Sequence, residues 1–231
     1  MIPRAILFDK DGTLFDFQKS WGRWADGLIE RFAPDPATGE CLADAISYDR
    51  ATQRFRPESI AIAGTAADIA QAWLPYLPDQ TVGRMVRQFD GLAAEVVMAE
   101  ALPLAPYLDR LLARGLKLAV VTNESEAVAR QQLEAAGIDG RIGFLAGYDS
   151  GYGAKPAPGP CLAAAKALGV PPAAAVMVGD SRHDLTAGRA AGMATIGVLT
   201  GLATRADLEP LADAVFPDIG HVPQWLAAKG A

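Results

Sequence analysis

Cysteine is scarce in this sequence, which contains only Cys41 and Cys161 among its 231 residues. The two lie far apart, and their spacing matches neither a metal-ligand motif nor a disulfide framework. This scarcity argues against a small disulfide-stabilised protein and against a cysteine-ligated metal site. We therefore expect two buried thiols in a reducing compartment, with the cytoplasm as the location.

Positive charge and long apolar segments are also in short supply. The chain has 21 Lys and Arg against 27 Asp and Glu, a net charge of −6, and no run of basic residues. This balance argues against a general nucleic-acid binder. No stretch approaches the length of a membrane span, and the charged pair Asp9 and Lys10 comes too early for a signal-peptide core. We expect no nucleic-acid and no membrane partner.

Short apolar segments alternate with helical patterns over most of the chain, which predicts an α/β fold with a doubly wound parallel sheet. The predicted strands lie at residues 4–9, 116–122, 142–146, 174–179, 194–199 and 214–216. The predicted helices between them lie at residues 104–114, 125–136, 158–168, 184–191 and 222–228. Continuous apolar runs are typical of strands that are buried on both faces of a parallel sheet.

The segment 17–100 breaks this alternation, because it contains helical patterns and no convincing strand. Helices are predicted at residues 21–32, 38–47, 66–76 and 82–98. Trp21, Trp24, Leu28 and Phe32 recur at helical spacing, which favours the core of a helical unit. We therefore predict an α/β core formed by residues 1–16 and 101–231, interrupted by a helical domain at 17–100.

Asp9 and Asp11 follow the first predicted strand and are separated by one residue. Two like charges at that position repel each other unless a cation lies between them, and the carboxyl ends of strands are where open α/β sheets bind ligands. On these two residues alone, a plain turn that ends at Gly12 is the simpler interpretation.

Three further polar groups follow later strands or enter the next loop. Thr122 and Asn123 end the second core strand, where a helix cap and an anion site are both compatible with the pattern. Lys155 lies in a Gly- and Pro-rich loop, either as a solvated side chain or as a point charge for phosphate. Asp180 and Asp184 flank the start of a helix, where oxygen ligands favour Mg²⁺.

Taken in order along the chain, these groups closely resemble the haloacid dehalogenase superfamily, and the run from Gly179 to Met193 resembles its phosphoglycolate phosphatase-like branch. Four motifs carry the resemblance: Asp9-Lys10-Asp11-Gly12-Thr13, Thr122-Asn123, Lys155, and Gly179-Asp180 with Asp184. The resemblance implies a Rossmann-like core, and the segment 17–100 corresponds to the inserted helical cap of the C1 type.

The same resemblance implies a Mg²⁺-dependent phosphatase that acts on a small phosphorylated metabolite, with 2-phosphoglycolate as the leading substrate. Asp9 would be the nucleophile that forms an aspartyl-phosphate, and Asp11 the general acid and base. Two further sets of residues follow from it. The phosphate ligands would be Thr122, Asn123 and Lys155, and the metal ligands Asp9, Asp11, Asp180 and Asp184, the last one directly or through water.

Several alternatives stay open at this point. A sugar-phosphate mutase would share every core motif, and a non-catalytic binding or regulatory protein could use the same fold. In the cap, Arg50, Arg54 and Arg56 are candidates for binding a substrate carboxylate, although for any single one of them a solvated surface arginine is the simpler interpretation. A monomer and a homodimer both fit the sequence.

Overall fold

The computed structural model describes residues 2–230. Its centre is a six-stranded sheet in which every neighbouring pair of strands is parallel. The strands of this sheet are β1 (Ala5–Phe8), β4 (Lys117–Val121), β5 (Phe144–Ala146), β6 (Ala175–Gly179), β7 (Ala194–Val198) and β8 (Ala214–Phe216). All four residues of β1 are fully buried, as expected for a strand that is covered on both faces.

The strand order is β5-β4-β1-β6-β7-β8, so β1 lies near the middle of the sheet. The chain first builds outward from β1 through β4 to β5, and then returns to the other side of β1 with β6. The order of the strands therefore reverses at β1. In open α/β sheets, such a reversal leaves a crevice at the carboxyl ends of the strands, and ligands bind there.

Helices cover both faces of the sheet. They are α5 (Leu104–Ala113), α6 (Glu126–Ala135), α7 (Gly159–Ala167), α8 (Arg182–Ala190), α9 (Arg205–Leu208) and α10 (Val222–Ala228). Ile6 and Phe8 of β1 pack in the hydrophobic cluster that includes α5, α6 and α10, whereas Ala5 and Leu7 pack in the cluster that includes α7 and α8. This period of two places apolar side chains on both faces, and the predicted doubly wound fold is confirmed.

The segment between β1 and α5 forms a second, separate hydrophobic cluster. Its helices are α1 (Phe17–Phe32), α2 (Pro36–Ala45), α3 (Ala66–Trp73) and α4 (Val82–Ala93). Trp73, which is fully buried, packs edge-on against Phe89 and donates its indole N–H to the carbonyl of Leu42. We propose residues 17–100 as the bounds of this unit and call it the cap; the remainder of the chain is the core.

The cap differs from the sequence prediction in two places. It contains a two-stranded antiparallel ribbon, β2 (Tyr48–Asp49) and β3 (Arg54–Phe55), where no strand was predicted. Strands of two residues are too short to show an alternating pattern. The last cap helix ends at Ala93 instead of continuing to residue 98. The carbonyl of Ala93, which is left without a partner in the helix by this early end, accepts a hydrogen bond from the side chain of Gln132 in the core.

Two compositional predictions have separate outcomes. Cys161 is buried, but Cys41 is exposed on α2, so the prediction of two buried thiols is wrong for Cys41. Leu42 and Ala43 form the buried side of α2 at this point, and Cys41 lies on its exposed side. Within residues 2–230, none of the helices has the length and apolar character to cross a membrane.

Candidate active site

The site is built at the carboxyl edge of the sheet, where three neighbouring strands end. Asp9 follows β1, Thr122 follows β4, and Asp180 follows β6. Phe8 is paired with Val120 on one side and with Val178 on the other, so the residues that come next emerge side by side. The backbone N–H of Asp9 donates to the carbonyl of Val178 at 2.9 Å, which fixes Asp9 at the end of the strand.

Lys155 connects the carboxylates of this edge. Its ammonium group lies 2.6 Å from Asp9 Oδ1 and 2.6 Å from Asp184 Oδ1, and it donates to the carbonyl of Val121 at 2.8 Å. The side chain is only 3% exposed. Lys155 is therefore not a solvated surface side chain, which was one of the two interpretations of its loop. It is a buried cation between two acidic groups.

Asn123 holds the backbone of Lys155 in place. Its Oδ1 accepts from the N–H of Lys155 at 2.9 Å, and its Nδ2 donates to the carbonyl of Lys155 at 2.9 Å. Nδ2 also donates to the carbonyl of Ala63 in the cap at 2.8 Å. Both hydrogens of the amide are thus used within the protein, so the side chain serves here as a positioning group, and direct contact with phosphate stays a prediction.

Three carboxylates converge on one point at this edge. Single oxygen atoms of Asp9, Asp180 and Asp184 all lie within 4.8 Å of one another. Asp180 Oδ2 is buried and has no hydrogen-bond partner, while Oδ1 accepts from Thr13 at 3.4 Å. Buried polar atoms are rarely left without a partner. An unpartnered carboxylate oxygen in an all-oxygen cluster fits a hard divalent cation such as Mg²⁺.

The electrostatics lead to the same conclusion. Burial raises the pKa of Asp9 to about 7; the charge of Lys155 opposes this rise, and the neighbouring Asp184 and Asp11 add to it. Burial also raises the pKa of Asp180 well above its usual value, and Asp184 and Asp9 raise it further. One ammonium group does not neutralise three buried carboxylates, and a bound divalent cation would supply the missing charge.

Hydrogen bonds in the first turn of α8 fix the orientation of the Asp184 side chain. Its Oδ2 accepts from the backbone N–H of Ser181 at 3.0 Å and from the Ser181 hydroxyl at 2.6 Å, and Ser181 Oγ accepts from the N–H of Asp184 in return. This reciprocal pair is a capping box. Asp184 can therefore close the start of α8 with Oδ2 and still offer Oδ1 to a metal ion, because Oδ1 remains directed toward Lys155.

Glycines leave the space that these carboxylates fill. A Cβ on Gly12 would lie 2.3 Å from Asp180 Oδ2, and one on Gly179 would lie 2.3 Å from Asp184 Cβ. A Cβ on Gly201 would lie only 1.7 Å from Asp180 Oδ2. The sequence analysis missed Gly201, because this residue lies outside all four motifs. Only the folded structure shows that it lies beside Asp180.

Asp11 has different partners from Asp9. Lys10 contacts both of its carboxylate oxygens, at 2.8 and 2.7 Å, and the indole N–H of Trp21 donates to Oδ1 at 2.7 Å. Lys10 is fully buried and also donates to Gln132 Oε1 at 2.6 Å. Sequence reasoning assigned no role to Lys10 or Gln132. Trp21 is buried in the cap core as predicted, and it also links the cap to the loop that carries Asp11.

A cavity of about 760 Å³, including its opening to solvent, separates the cap from these groups. We call its core side, lined by Asp9, Lys155 and Asp184, the floor, and we count the neighbouring Asp180 with it. We call its apolar cap side the roof. The roof residues are Phe17, Trp24, Phe55, Ile62, Ile69 and Phe89. Trp24, predicted as cap core, is thus partly a cavity wall, while Leu28 is buried as predicted.

The structure does not bring the three cap arginines to this cavity. Arg50 pairs with Asp26 at 2.9 Å and approaches Glu40 at 3.3 Å on another part of the cap. Arg54 and Arg56 are exposed, and neither lines the cavity. A role of any of them in binding a substrate carboxylate stays a prediction, and in this arrangement it would need a rearrangement of the cap.

Comparison with known proteins agrees with this geometry. The family of haloacid dehalogenase-like hydrolases matches residues 3–192. A phosphoglycolate phosphatase of Xylella fastidiosa (strain 9a5c) is 32% identical over 208 residues, covering 89% of this chain and 84% of the relative. One of Rhodospirillum rubrum is 31% identical, covering 97% and 91%.

A solved structure supports the fold independently. The crystal structure of a predicted phosphoglycolate phosphatase from Haemophilus somnus 129PT superposes with a TM-score of 0.76 at 21% identity, covering 97% of this chain and 98% of that one. The core and the inserted helices are therefore shared along almost the whole length. From its motifs, its fold and its relatives, this chain belongs to the haloacid dehalogenase-like hydrolases, in the branch of the phosphoglycolate phosphatases.

Proposed function

We propose that this protein is a Mg²⁺-dependent phosphatase that hydrolyses a small phosphomonoester through an aspartyl-phosphate on Asp9. The observation that carries the proposal is the convergence of Asp9, Asp180 and Asp184 on one point, with the ammonium of Lys155 between two of them. A purely structural ion pair would not need a third buried carboxylate with an unpartnered oxygen.

Asp9 would act as the nucleophile. It lies at the end of a rigid buried strand and faces the cavity, so its free oxygen can approach the phosphorus atom of an ester from one side. Attack forms an acyl phosphate and releases the alcohol, and hydrolysis of the acyl phosphate then regenerates Asp9. Lys155, with its pKa raised by Asp184 and Asp9 against the opposing effect of burial, would stay protonated and stabilise the phosphoryl oxygens.

Asp9, Asp180 and Asp184 would hold the Mg²⁺ ion, with the backbone of Asp11 as the further ligand that the family resemblance implies. When bound, the ion supplies positive charge that keeps these carboxylates ionised and offsets the charge of the phosphoryl group. Thr122 is buried beside Asp9 on the next strand end and lines the cavity, which supports its role as a phosphate ligand.

Asp11 would move protons. Its ion pair with Lys10 and its hydrogen bond from Trp21 fix the carboxylate at the border between core and cap. In that position it can take a proton from the water that attacks the acyl phosphate, and it can return a proton to a leaving alkoxide. Because one of its partners is a cap residue, closure of the cap and the placement of Asp11 are coupled.

The test is phosphate release from a panel of phosphomonoesters, with Mg²⁺ and with EDTA, for the wild type and for Asp9→Asn. We expect Mg²⁺-dependent release that falls at least about 10³-fold in the variant, since the nucleophile is lost. Asp109→Asn is the matched control, because Asp109 forms a surface ion pair with Arg141 away from the cavity. Equal activity in EDTA, or an active Asp9→Asn variant, would contradict the proposal.

A further inference from the structure

The roof of the cavity is aromatic and aliphatic to an extent that a small charged substrate does not require. Phe17, Phe55 and Phe89 are each at least nine-tenths buried and line it, together with the partly buried Trp24 and Ile69. Phe17 and Phe55 contact each other with ring centroids 5.2 Å apart, so they form one continuous apolar surface. Binding of an apolar organic group to such a surface is favourable, because it removes apolar area from water.

Positive charge is almost absent from the same cavity. Among residues 2–230, Lys155 is the one lysine or arginine that lines it, and its ammonium is already paired with Asp9 and Asp184. The walls carry further acidic groups, Asp90 and Glu124. A carboxylate on the leaving group would therefore face like charges without a free lysine or arginine to pair with, which is unfavourable in a confined cavity.

One polar atom of the roof has no partner within the protein. Trp24 Nε1 is buried and makes no hydrogen bond, whereas the other cavity tryptophan, Trp21, donates to Asp11. An indole N–H that is buried usually finds an acceptor. Because Trp24 lines the cavity, an acceptor atom on a bound molecule can pair with this N–H in place of water.

We propose, on the basis of the proposed phosphatase function, that the substrate is a phosphomonoester whose organic group is uncharged and largely apolar, such as an aromatic ring. The roof binds the ring, and Trp24 donates to an oxygen or nitrogen of the group. The floor holds the phosphate. This preference differs from 2-phosphoglycolate, whose organic group is a short carboxylate.

The experiment compares two esters of primary alcohols, 2-phenylethyl phosphate and 2-phosphoglycolate, so that both leaving groups are alkoxides. We expect kcat/KM for 2-phenylethyl phosphate to be at least about tenfold higher, which is the low end of what a single methylene group contributes in an apolar pocket. Equal or faster hydrolysis of 2-phosphoglycolate would overturn the substrate inference and leave the phosphatase proposal standing.

Binding of phosphonates that cannot be hydrolysed separates the two proposals. Tryptophan fluorescence is titrated with 2-phenylethylphosphonate and with phosphonoacetate in the presence of Mg²⁺. We expect tighter binding of the phenyl compound. Tighter binding of the phenyl compound without hydrolysis of any ester would support the preference of the cavity for an apolar group and overturn the phosphatase proposal. Tighter binding of phosphonoacetate would overturn the substrate inference.

Trp24→Phe tests the indole donor, since it keeps an aromatic ring and removes the N–H. With 2-(4-methoxyphenyl)ethyl phosphate, which carries an acceptor, we expect kcat/KM to fall about threefold to tenfold, the usual worth of one hydrogen bond. With 2-phenylethyl phosphate the fall should be smaller. Trp225→Phe is the matched control, because Trp225 lies on α10 of the core, away from the cavity. An equal fall for both esters would overturn the donor role of Trp24.

Discussion

The floor and the roof of the cavity are built on different principles. Every carboxylate of the floor follows a strand end or begins a helix, and Lys155 links two of them at 2.6 Å. The roof is formed by side chains from α1, β3, α3 and α4, with few hydrogen bonds among them. The floor is thus held by ion pairs and by the direction in which the strands end, and the roof is held by the packing of apolar side chains.

This difference separates chemistry from substrate choice. A change in the floor should slow the hydrolysis of every ester by a similar factor, because all of them share the phosphoryl group. A change in the roof should instead reorder the esters, because they differ only in the organic group. The following predictions test this separation, beginning with the largest effect.

Lys155→Met should lower kcat/KM by about 10²–10³-fold for every ester, since it removes a buried charge that faces the phosphoryl group. The ranking of the esters should not change. Steady-state phosphate release over the panel gives both values. Lys166→Met, on the exposed last turn of α7, is the control. A ranking altered by Lys155→Met would show that the floor also selects the organic group.

Gly201→Ala should weaken Mg²⁺ binding by about 10–100-fold, the usual cost of disturbing a group beside a metal ligand. The added Cβ would lie 1.7 Å from Asp180 Oδ2, so this carboxylate must move. Calorimetric titration with Mg²⁺ and the Mg²⁺ dependence of turnover measure the change. Gly140→Ala, which has open space around it, is the control. Unchanged Mg²⁺ affinity would remove Asp180 from the ligand set.

Glu124→Gln should produce the smallest effect, in stability rather than turnover. Burial raises the pKa of Glu124 from 4.5 to about 7. A carboxyl with a raised pKa in the folded state favours folding below its ordinary pKa, and this contribution is lost as the pH rises through about 7. In EDTA, the wild type should therefore lose about 1 kcal/mol more than the variant between pH 5 and pH 7.5, discounted for partial exposure.

Urea unfolding at both pH values gives this difference, because the other carboxylates titrate equally in the two proteins. Glu134→Gln, at an exposed position of α6, should behave as the wild type does. If Glu124→Gln and the wild type lose the same free energy of unfolding, Glu124 does not have the raised pKa, and the wall of the cavity is less acidic than the floor. In that case the roof and its walls would tolerate a carboxylate better than the substrate inference requires.

The sequence predicted the floor well and the roof poorly, for a physical reason. Asp9, Thr122 and Asp180 each follow a buried apolar run, and parallel strands bring their carboxyl ends to one edge whatever the loops do. Each of these residues could therefore be placed from local pattern and topology. The six strands of the sheet were predicted on the same basis.

The roof depends on contacts between segments that are distant in the chain. Phe55 lies on a strand of two residues that no periodicity indicates, and Trp24 lies at the same helical spacing as true core residues. Periodicity reports that a face is apolar, and it does not tell whether that face meets another helix or a cavity. The helix α9 was also missed, although Thr204 and Asp207 form a capping box that could have indicated it.

The carbonyl of Ala63 connects the cap to the loops around Lys155. It accepts a hydrogen bond from Asn123 at 2.8 Å and lies 3.1 Å from His183 Nδ1, so a core loop and the first turn of α8 both contact one cap atom. The same amide of Asn123 holds the backbone of Lys155. Because one amide holds both the backbone of Lys155 and the cap, we expect a displacement of the Lys155 loop to loosen the cap at this point. The position of the lysine and the closure of the cavity to water should therefore change together.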